Sequence, residues 1–406
     1  MEKTFKMIIA GGKTGGHLFP GIAVAQAVLQ INPNAEILFV GTGAPFETLT
    51  LKRYGFAHER ITSAGIKGKG IIEKIKALVQ IPISIIQAVK IVMYFKPDMV
   101  LGVGGFSSGP VVVAARLCGV KTAIHEQNSI AGITNRILEH FVDIIFTSFK
   151  ETKRLTQNGK MVHTGNPIRK NEMGSLIISD NYKKDHNESE SQNNPENGGE
   201  DNSDGNIRKF TILVTGGSQG ARSINTAFLE ALKLIEYPEK YRIIHQTGAT
   251  DEQRVLLEYQ KMAQVPDLGI SDKYDNISAG AFFNDMPQIQ VSADLIICRA
   301  GAGTISEITA IGKPSLLVPY PHAADDHQTF NAKTLADNGA AWMVPDSLLS
   351  GEILKEKIEF GYSHPEQLSQ MAQRAKELGS PFAGDMIASI CVKMGTNSVK
   401  AAEKVI

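Results

Sequence analysis

Short runs of β-branched and aliphatic residues recur along this chain, and most of them end on glycine. FKMIIA (5–10) leads into GGKTGGH, after which AVAQAVLQ has helical spacing. ILFVG (37–41), MVLGVGG (99–105), TAIHEQN (122–128) and IIFTS (144–148) repeat the theme. Apolar runs closed by turn residues and separated by helical patterns predict parallel βαβ units. The pattern restarts after residue 207 with TILVTGGSQGARSIN, RIIHQTG, LIICRAGAGTISE and SLLVPYP. Two Rossmann-like halves follow, each with its own opening Gly-rich loop. Ligands gather at the carboxyl ends of parallel strands, so a cleft between the halves is the expected site.

A length of 406 residues also favours two domains over one core. We take 1–168 as the first domain, 171–207 as a linker and 208–380 as the second. Within the linker, 185–206 holds seven carboxylates, no Lys or Arg and no aliphatic or aromatic residue. It cannot bury enough apolar surface to offset its ordering entropy, which predicts a disordered surface insertion. A tolerated insertion and a regulatory segment both fit that composition.

Formal net charge is zero, which gives no reason to expect a nucleic-acid partner. Cys118, Cys298 and Cys391 are scattered, without zinc-ligand spacing or a disulfide framework, and point to a reducing cytosol. The N-terminal apolar run is too short for a signal peptide, and no apolar stretch is long enough to span a bilayer. A soluble or peripheral protein is expected.

GGKTGGH (11–17) closes a strand and opens a helix, where backbone NH groups point outward and glycine admits a phosphate. A P-loop would need glycine where Met7 stands, and a nicotinamide fingerprint would need different glycine spacing and an acid after the second strand. GVGGFSSGP (102–110) and TGGSQGAR (215–222) repeat the device. One such loop can be a plain tight turn; three imply more than one anionic group. His17, at the strand-to-helix turn, is a candidate base, because imidazole titrates near neutrality. A capping or phosphate-contacting histidine is the competing reading. The strand LIICRAG feeds a helix starting near Gly303 or Thr304, whose N-terminus suits a departing diphosphate. No Asp-x-Asp metal motif occurs, and neither a metal nor a cofactor is expected.

GGKTGGHLFPGIAVA, GGFSSGP, HEQNSIAGITNR, TGNPIR, GGSQGAR, HQTG, CRAGAGTISE and VPYPHAADDHQTFNA together resemble the signatures of the MurG family. The match spans nearly the whole chain except 171–207. The resemblance implies an α/β GT-B fold, two Rossmann-like domains facing a cleft, with 381–406 holding a helix that returns to the first domain. It also implies an inverting, metal-independent transferase that moves N-acetylglucosamine from UDP-N-acetylglucosamine to the 4-hydroxyl of undecaprenyl-diphosphate-linked muramyl pentapeptide (lipid I to lipid II). Lys13 departs from the family pattern; it either adds charge near the acceptor diphosphate or points to solvent.

By resemblance, His17 and His125 are the catalytic candidates, with His125 a second base or an acceptor contact. Gly104, Gly105 and Glu126 fall to the acceptor, with Glu126 alternatively orienting His125. Thr14, Gly15, Gly16, Asn128 and Arg169 fall to the donor from the first half. Ser218, Phe283, Ala302, Gly303, Thr304, Ile305, Ser306, Glu307 and Gln328 fall to it from the second. Glu307 suits the ribose hydroxyls, although the helix dipole alone favours a first-turn glutamate. Gln328, beside Asp326 and His327, can both donate to and accept from sugar hydroxyls. Phe283 occupies the position that packs near uracil in relatives.

The acceptor's lipid implies a peripheral location on the cytoplasmic membrane face, with cell-wall and division proteins as further partners. Residues 65–96 carry apolar Ile72, Ile75, Val79, Pro82, Ile86, Val89 and Met93 near helical spacing, with Lys67, Lys69, Lys74, Lys76, Lys90 and Lys96. This fits attraction to an anionic membrane surface. An ordinary helix on the first sheet, broken at Pro82, fits as well. Another GT-B lipid glycosyltransferase, a UDP-sugar 2-epimerase and a non-catalytic cell-wall scaffold are the competing functions.

Overall fold

The computed structural model describes residues 4–12, 14–62, 71–156, 159–169, 208–217, 219–263 and 276–396, with backbone alone over 71–79. Lys13, Lys67, Lys69, Ser218 and the 185–206 insertion lie outside the described residues. So do the side chains of Ile72, Lys74, Ile75, Lys76 and Val79.

The chain forms two compact units: the described residues within Met1–Arg169, Gly301–Ser306 and Ser380–Ile406, and those within Lys170–Ala300 and Glu307–Gly379. Each is built on a parallel sheet. The first contains β1 (Lys6–Ala10), β2 (Glu36–Gly41), β3 (Ala57–Arg60), β4 (Met99–Gly102), β5 (Lys121–Glu126), β6 (Ile144–Thr147) and β7 (Met161–His163), in the order β3-β2-β1-β4-β5-β6-β7. The second contains β8 (Phe210–Thr215), β9 (Tyr241–Gln246), β10 (Ile277–Gly280), β11 (Leu295–Cys298), β12 (Ser315–Leu317) and β13 (Trp342–Met343), in the order β10-β9-β8-β11-β12-β13. In both, the order reverses beside the first strand, which is where Rossmann-like sheets open a ligand crevice.

The central strands read as unbroken apolar runs because both their faces are covered. On one face of the first sheet, Ile8, Ala10, Val40, Val100 and Ile124 pack with Ala88 and Val92 of the helix Ile71–Phe95 and with the helix Ser108–Leu117. On the other, Met7, Ile9, Phe39, Met99 and Leu101 pack with Leu18, Ile22 and Val28 of the helix Gly15–Ile31. The same cluster includes Ile387, Ala388 and Cys391 of the helix Ala383–Gly395, so the last described helix is part of the first unit's core. The second unit's core joins Ile212, Val214, Phe228, Leu232, Ile297, Leu354 and Ile358.

Pro82 does not break its helix, which continues to Phe95. Its ring sits on the exposed side, and only one backbone donor is lost. Ser84, Ala88 and Val92, at successive i+4 positions, are the buried stripe. Ile83, Ile86, Met93 (64% exposed) and Tyr94 (91%) point away from the sheet. Among the described residues, no helix is long and apolar enough to cross a membrane.

Ile387 is wholly buried. Truncation to alanine removes three carbons from a packed interior, so Ile387→Ala should cost about 2–5 kcal/mol of unfolding free energy. Urea titration followed by circular dichroism checks this, and an unchanged midpoint would mean that the helix adds no stability.

Candidate functional site

In the first unit the loops after β1 and β4 meet where the strand order reverses. Gly11 and Gly104 hold φ of +128° and +93°, and a methyl on Gly11 would overlap the Gly104 carbonyl. Beneath the first loop lies Glu47, wholly buried in space that a side chain at Gly41 would fill. Its Oε2 accepts from Thr42 N (3.2 Å) and Thr42 Oγ1 (3.1 Å), and its Oε1 faces His58 Nε2 at 3.3 Å. Burial alone would raise the Glu47 pKa, but the His58 and Thr42 donors outweigh it and hold the carboxyl below its ordinary value.

His17 stands in the first turn of its helix, half-buried. Its ring lies against Gly104, where an added methyl would come within 2.7 Å of Nδ1. That nitrogen is 3.1 Å from Gln127 Oε1. The Gln127 amide nitrogen donates to the Val103 carbonyl (2.8 Å) and lies 3.1 Å from His125 Nδ1. His125 Nε2 in turn faces the Gly165 carbonyl and Ser148 Oγ, each at 3.2 Å. Both ring nitrogens of His125 are thus engaged inside the unit. Burial drops its pKa to about 4 and keeps it neutral.

Glu126 does not orient His125. Its Oε1 accepts from the backbone and side-chain nitrogens of Asn128 (3.0 and 3.3 Å), and its Oε2 from Gly132 N (3.0 Å) and Asn135 Nδ2 (2.8 Å). It is buried and braces the 126–135 turn, an arrangement that favours support over direct contact with a ligand. Gly105 (φ +81°) lies beside the His17 ring. Thr14, Gly15 and Gly16 form the entrance of the helix, Thr14 and Gly16 exposed and Gly15 half-buried; the Thr14 carbonyl accepts from His17 N (3.1 Å) and Leu18 N (3.0 Å). The Arg169 guanidinium stacks over Phe19, 4.3 Å from the ring centre, on that same helix.

In the second unit, Gly216, Gly217 and Gly220 follow β8. A side chain at Gly220 would overlap the Thr247 carbonyl of the neighbouring loop. Gln246 ties three segments together: Nε2 donates to Thr215 Oγ1 (3.1 Å) and Gly217 O (3.2 Å), and Oε1 accepts from Phe283 N (3.2 Å). Phe283 therefore sits by the ends of β9 and β10. Ala302, Gly303, Thr304, Ile305 and Ser306, which group with the first unit, and Glu307 of the second all lie in the first two turns of the helix Ala302–Ile311. Ser306 Oγ is spent on the Ala302 carbonyl (2.7 Å), whereas Glu307 Oε2 accepts from Gln290 Nε2 at 3.2 Å. Gln328 Oε1 accepts from Tyr320 N (3.0 Å). The preceding Asp325 and Asp326 both hold positive φ (+54° and +57°), a strain that costs energy and concentrates at ligand-binding loops.

The models of the glycosyltransferase family 28 N-terminal and C-terminal domains match residues 7–147 and 211–384. The UDP-N-acetylglucosamine–N-acetylmuramyl-(pentapeptide) pyrophosphoryl-undecaprenol N-acetylglucosamine transferase of Syntrophus aciditrophicus is 42% identical over 96% of this chain and 99% of its own. The crystal structure of Acinetobacter baumannii MurG, 29% identical, superposes with a TM-score of 0.71 over 96% of this chain and 99% of its own. The chain belongs to the MurG family. Its fold is the GT-B α/β fold of that family, and it is a glycosyltransferase. The Neisseria meningitidis UDP-N-acetylglucosamine 2-epimerase bound to UDP-N-acetylglucosamine is only 16% identical, with a TM-score of 0.63 over 96% of this chain and 100% of its own; it shares the fold alone.

For this MurG-family chain, sequence reasoning missed Gln127, which stood unassigned inside HEQN, and Glu47, whose only signal was a carboxylate near glycines that proved to face it. It also missed a buried cluster in the second unit. There His245 Nε2 meets Asn225 Oδ1 (3.0 Å), Nδ1 meets Tyr259 OH (2.8 Å), and Asn225 Nδ2 donates to Thr247 O (3.0 Å) and Asp251 Oδ2 (2.8 Å). Burial takes the His245 pKa down to about 3.

Gly104→Ala should lower turnover at least tenfold, since the methyl would displace the His17 ring and the backbone needs positive φ; steady-state kinetics on the folded variant checks this. Stability should also fall with acid. Unfolded imidazoles take up protons near pH 6.5, but buried His125 and His245 do not until about 4 and about 3. Each should therefore remove about 1.4 kcal/mol per pH unit below 6.5. Urea midpoints at pH 7, 6 and 5 measure it, and a flat series would mean that these rings are protonated when folded.

Proposed function

We propose that the chain transfers N-acetylglucosamine from UDP-N-acetylglucosamine to the 4-hydroxyl of lipid-linked N-acetylmuramyl pentapeptide, the step from lipid I to lipid II in peptidoglycan synthesis. Similarity along nearly the full length, 42% identity over 96% of this chain, to a transferase of that name carries this reading.

In the reading we favour, His17 takes the proton of the acceptor hydroxyl as its oxygen bonds to the anomeric carbon. The bond to the diphosphate breaks, UDP leaves with the electron pair, and the configuration inverts. His17 is preferred to His125 because it is half-buried at a helix entrance, whereas both ring nitrogens of His125 are engaged within the unit. The first-turn NH groups of the helix Ala302–Ile311 suit the leaving diphosphate without requiring a metal. Glu307, steadied by Gln290, suits the ribose hydroxyls, Phe283 the uracil, and Gln328 the sugar. The lipid of the acceptor brings the first unit to an anionic membrane surface. The outward-pointing Ile83, Ile86, Met93 and Tyr94, with exposed Lys90, support contact through that helix.

The test is transfer of radiolabelled sugar to a short-chain analogue of the lipid-linked muramyl pentapeptide, with EDTA present. Labelled disaccharide is expected. Conversion of UDP-N-acetylglucosamine alone, without acceptor, would favour an epimerase instead. His17→Ala should cut kcat about a hundredfold or more while KM for the donor stays within about threefold; full turnover would remove His17 as the base. Changing Lys67, Lys69, Lys74 and Lys76 together to glutamate should abolish sedimentation with anionic vesicles, and undiminished binding would refute the membrane contact.

A further inference from the structure

Gln127 touches two histidines and one carbonyl, and its amide can satisfy all three in only one orientation. The atom 2.8 Å from the Val103 carbonyl oxygen must be the nitrogen, because an amide oxygen there would face another acceptor. The second amide hydrogen then points to His125 Nδ1 at 3.1 Å, which accepts it. His125 is neutral, so its proton is on Nε2, directed at the Gly165 carbonyl and Ser148 Oγ. The remaining Gln127 atom, Oε1, can only accept. His17 Nδ1, 3.1 Å away, must therefore carry a hydrogen.

We infer that Gln127 is a positioning residue that fixes His17 as its Nδ1–H tautomer, so that the basic lone pair of the neutral ring is on Nε2. A neutral imidazole has one donor and one acceptor nitrogen, and the bond made by one sets the identity of the other. The chain of hydrogen bonds runs from Gly165 through His125 and Gln127 to His17, and every member is buried except His17 itself. Once His17 has taken a proton on Nε2, Nδ1–H still donates to Gln127, so proton transfer needs no rearrangement of the chain. Gly104 completes the device, since any side chain there would push the His17 ring off this bond.

The inference rests on His17 as the base in the function proposed above, but the tautomer can be read without turnover. In the full-length protein with ¹⁵N-labelled histidine, long-range ¹H–¹⁵N correlation spectra above the titration of His17 should show a protonated Nδ1 and a bare Nε2. His17→Asn assigns the signals. Gln127→Leu should shift the ring toward a mixture of tautomers and lower kcat about ten- to a hundredfold, with donor KM within twofold. Gln127→Glu keeps an oxygen toward His17 and, with its other oxygen protonated, a donor toward Val103. It should recover most of the turnover that leucine loses. An Nε2–H tautomer in the wild-type protein would overturn the inference, as would a Gln127→Leu variant with unchanged spectra and turnover. Full activity in His17→Ala would instead defeat the base assignment and leave the tautomer result standing.

Discussion

The first unit's site depends on a close approach of two loops. Because the strand order reverses beside β1, the loops after β1 and β4 leave the sheet at adjacent positions and must pass each other. Gly11 and Gly104 allow it, since a Cβ on Gly11 would fall only 2.2 Å from the Gly104 carbonyl oxygen. The closeness leaves a flat backbone surface at Gly104, against which the His17 ring rests, and brings Val103 O within reach of Gln127. A side chain at Gly11 would separate the loops and one at Gly104 would displace the His17 ring, and either would dismantle the hydrogen-bonded chain behind His17.

Both units use the same device to hold polar groups in a dry interior. A histidine near the carboxyl end of a central strand, His125 on β5 or His245 on β9, is kept neutral by burial and bonded to a side-chain amide, Gln127 or Asn225. Neutral groups can be buried at the cost of satisfying their hydrogen bonds, whereas a buried charge needs a partner as well. Amides suit this task because they donate and accept at once, and each also grips a backbone carbonyl, that of Val103 or Thr247. Loop positions are thereby set by bonds with little tolerance for displacement.

The central strands were legible because burial on both faces writes them as continuous apolar runs ending in glycine. Edge strands were not: β3 reads AHER, and β13 is only two residues long. Exposed backbone edges put no apolar demand on such segments. The position of His17 at a strand-to-helix turn was readable from GGKTGGH. The company it keeps was not, since Gln127 lies 110 residues away and only the sheet order brings them together. Helical spacing of Ile86 and Met93 was legible too, but it could not say which face turns inward. The inward stripe is Ser84, Ala88 and Val92, whose small side chains permit close packing on the neighbouring helix, while the larger apolar residues face out.

The helix Ala383–Gly395 contributes Ile387, Ala388 and Cys391 to a core that begins at Phe5. A ribosome exposes the chain from its amino end, so it must be made from Phe5 through Cys391 before this core has all its members. The intervening second unit carries its own core within residues 212–358 and can close earlier. Contacts of such long sequence separation are slow to form, and the nascent first sheet meanwhile keeps part of one apolar face uncovered. During synthesis the first unit to begin is thus the last to finish, and that interval is when the growing chain is most exposed to aggregation and to the chaperones that guard against it.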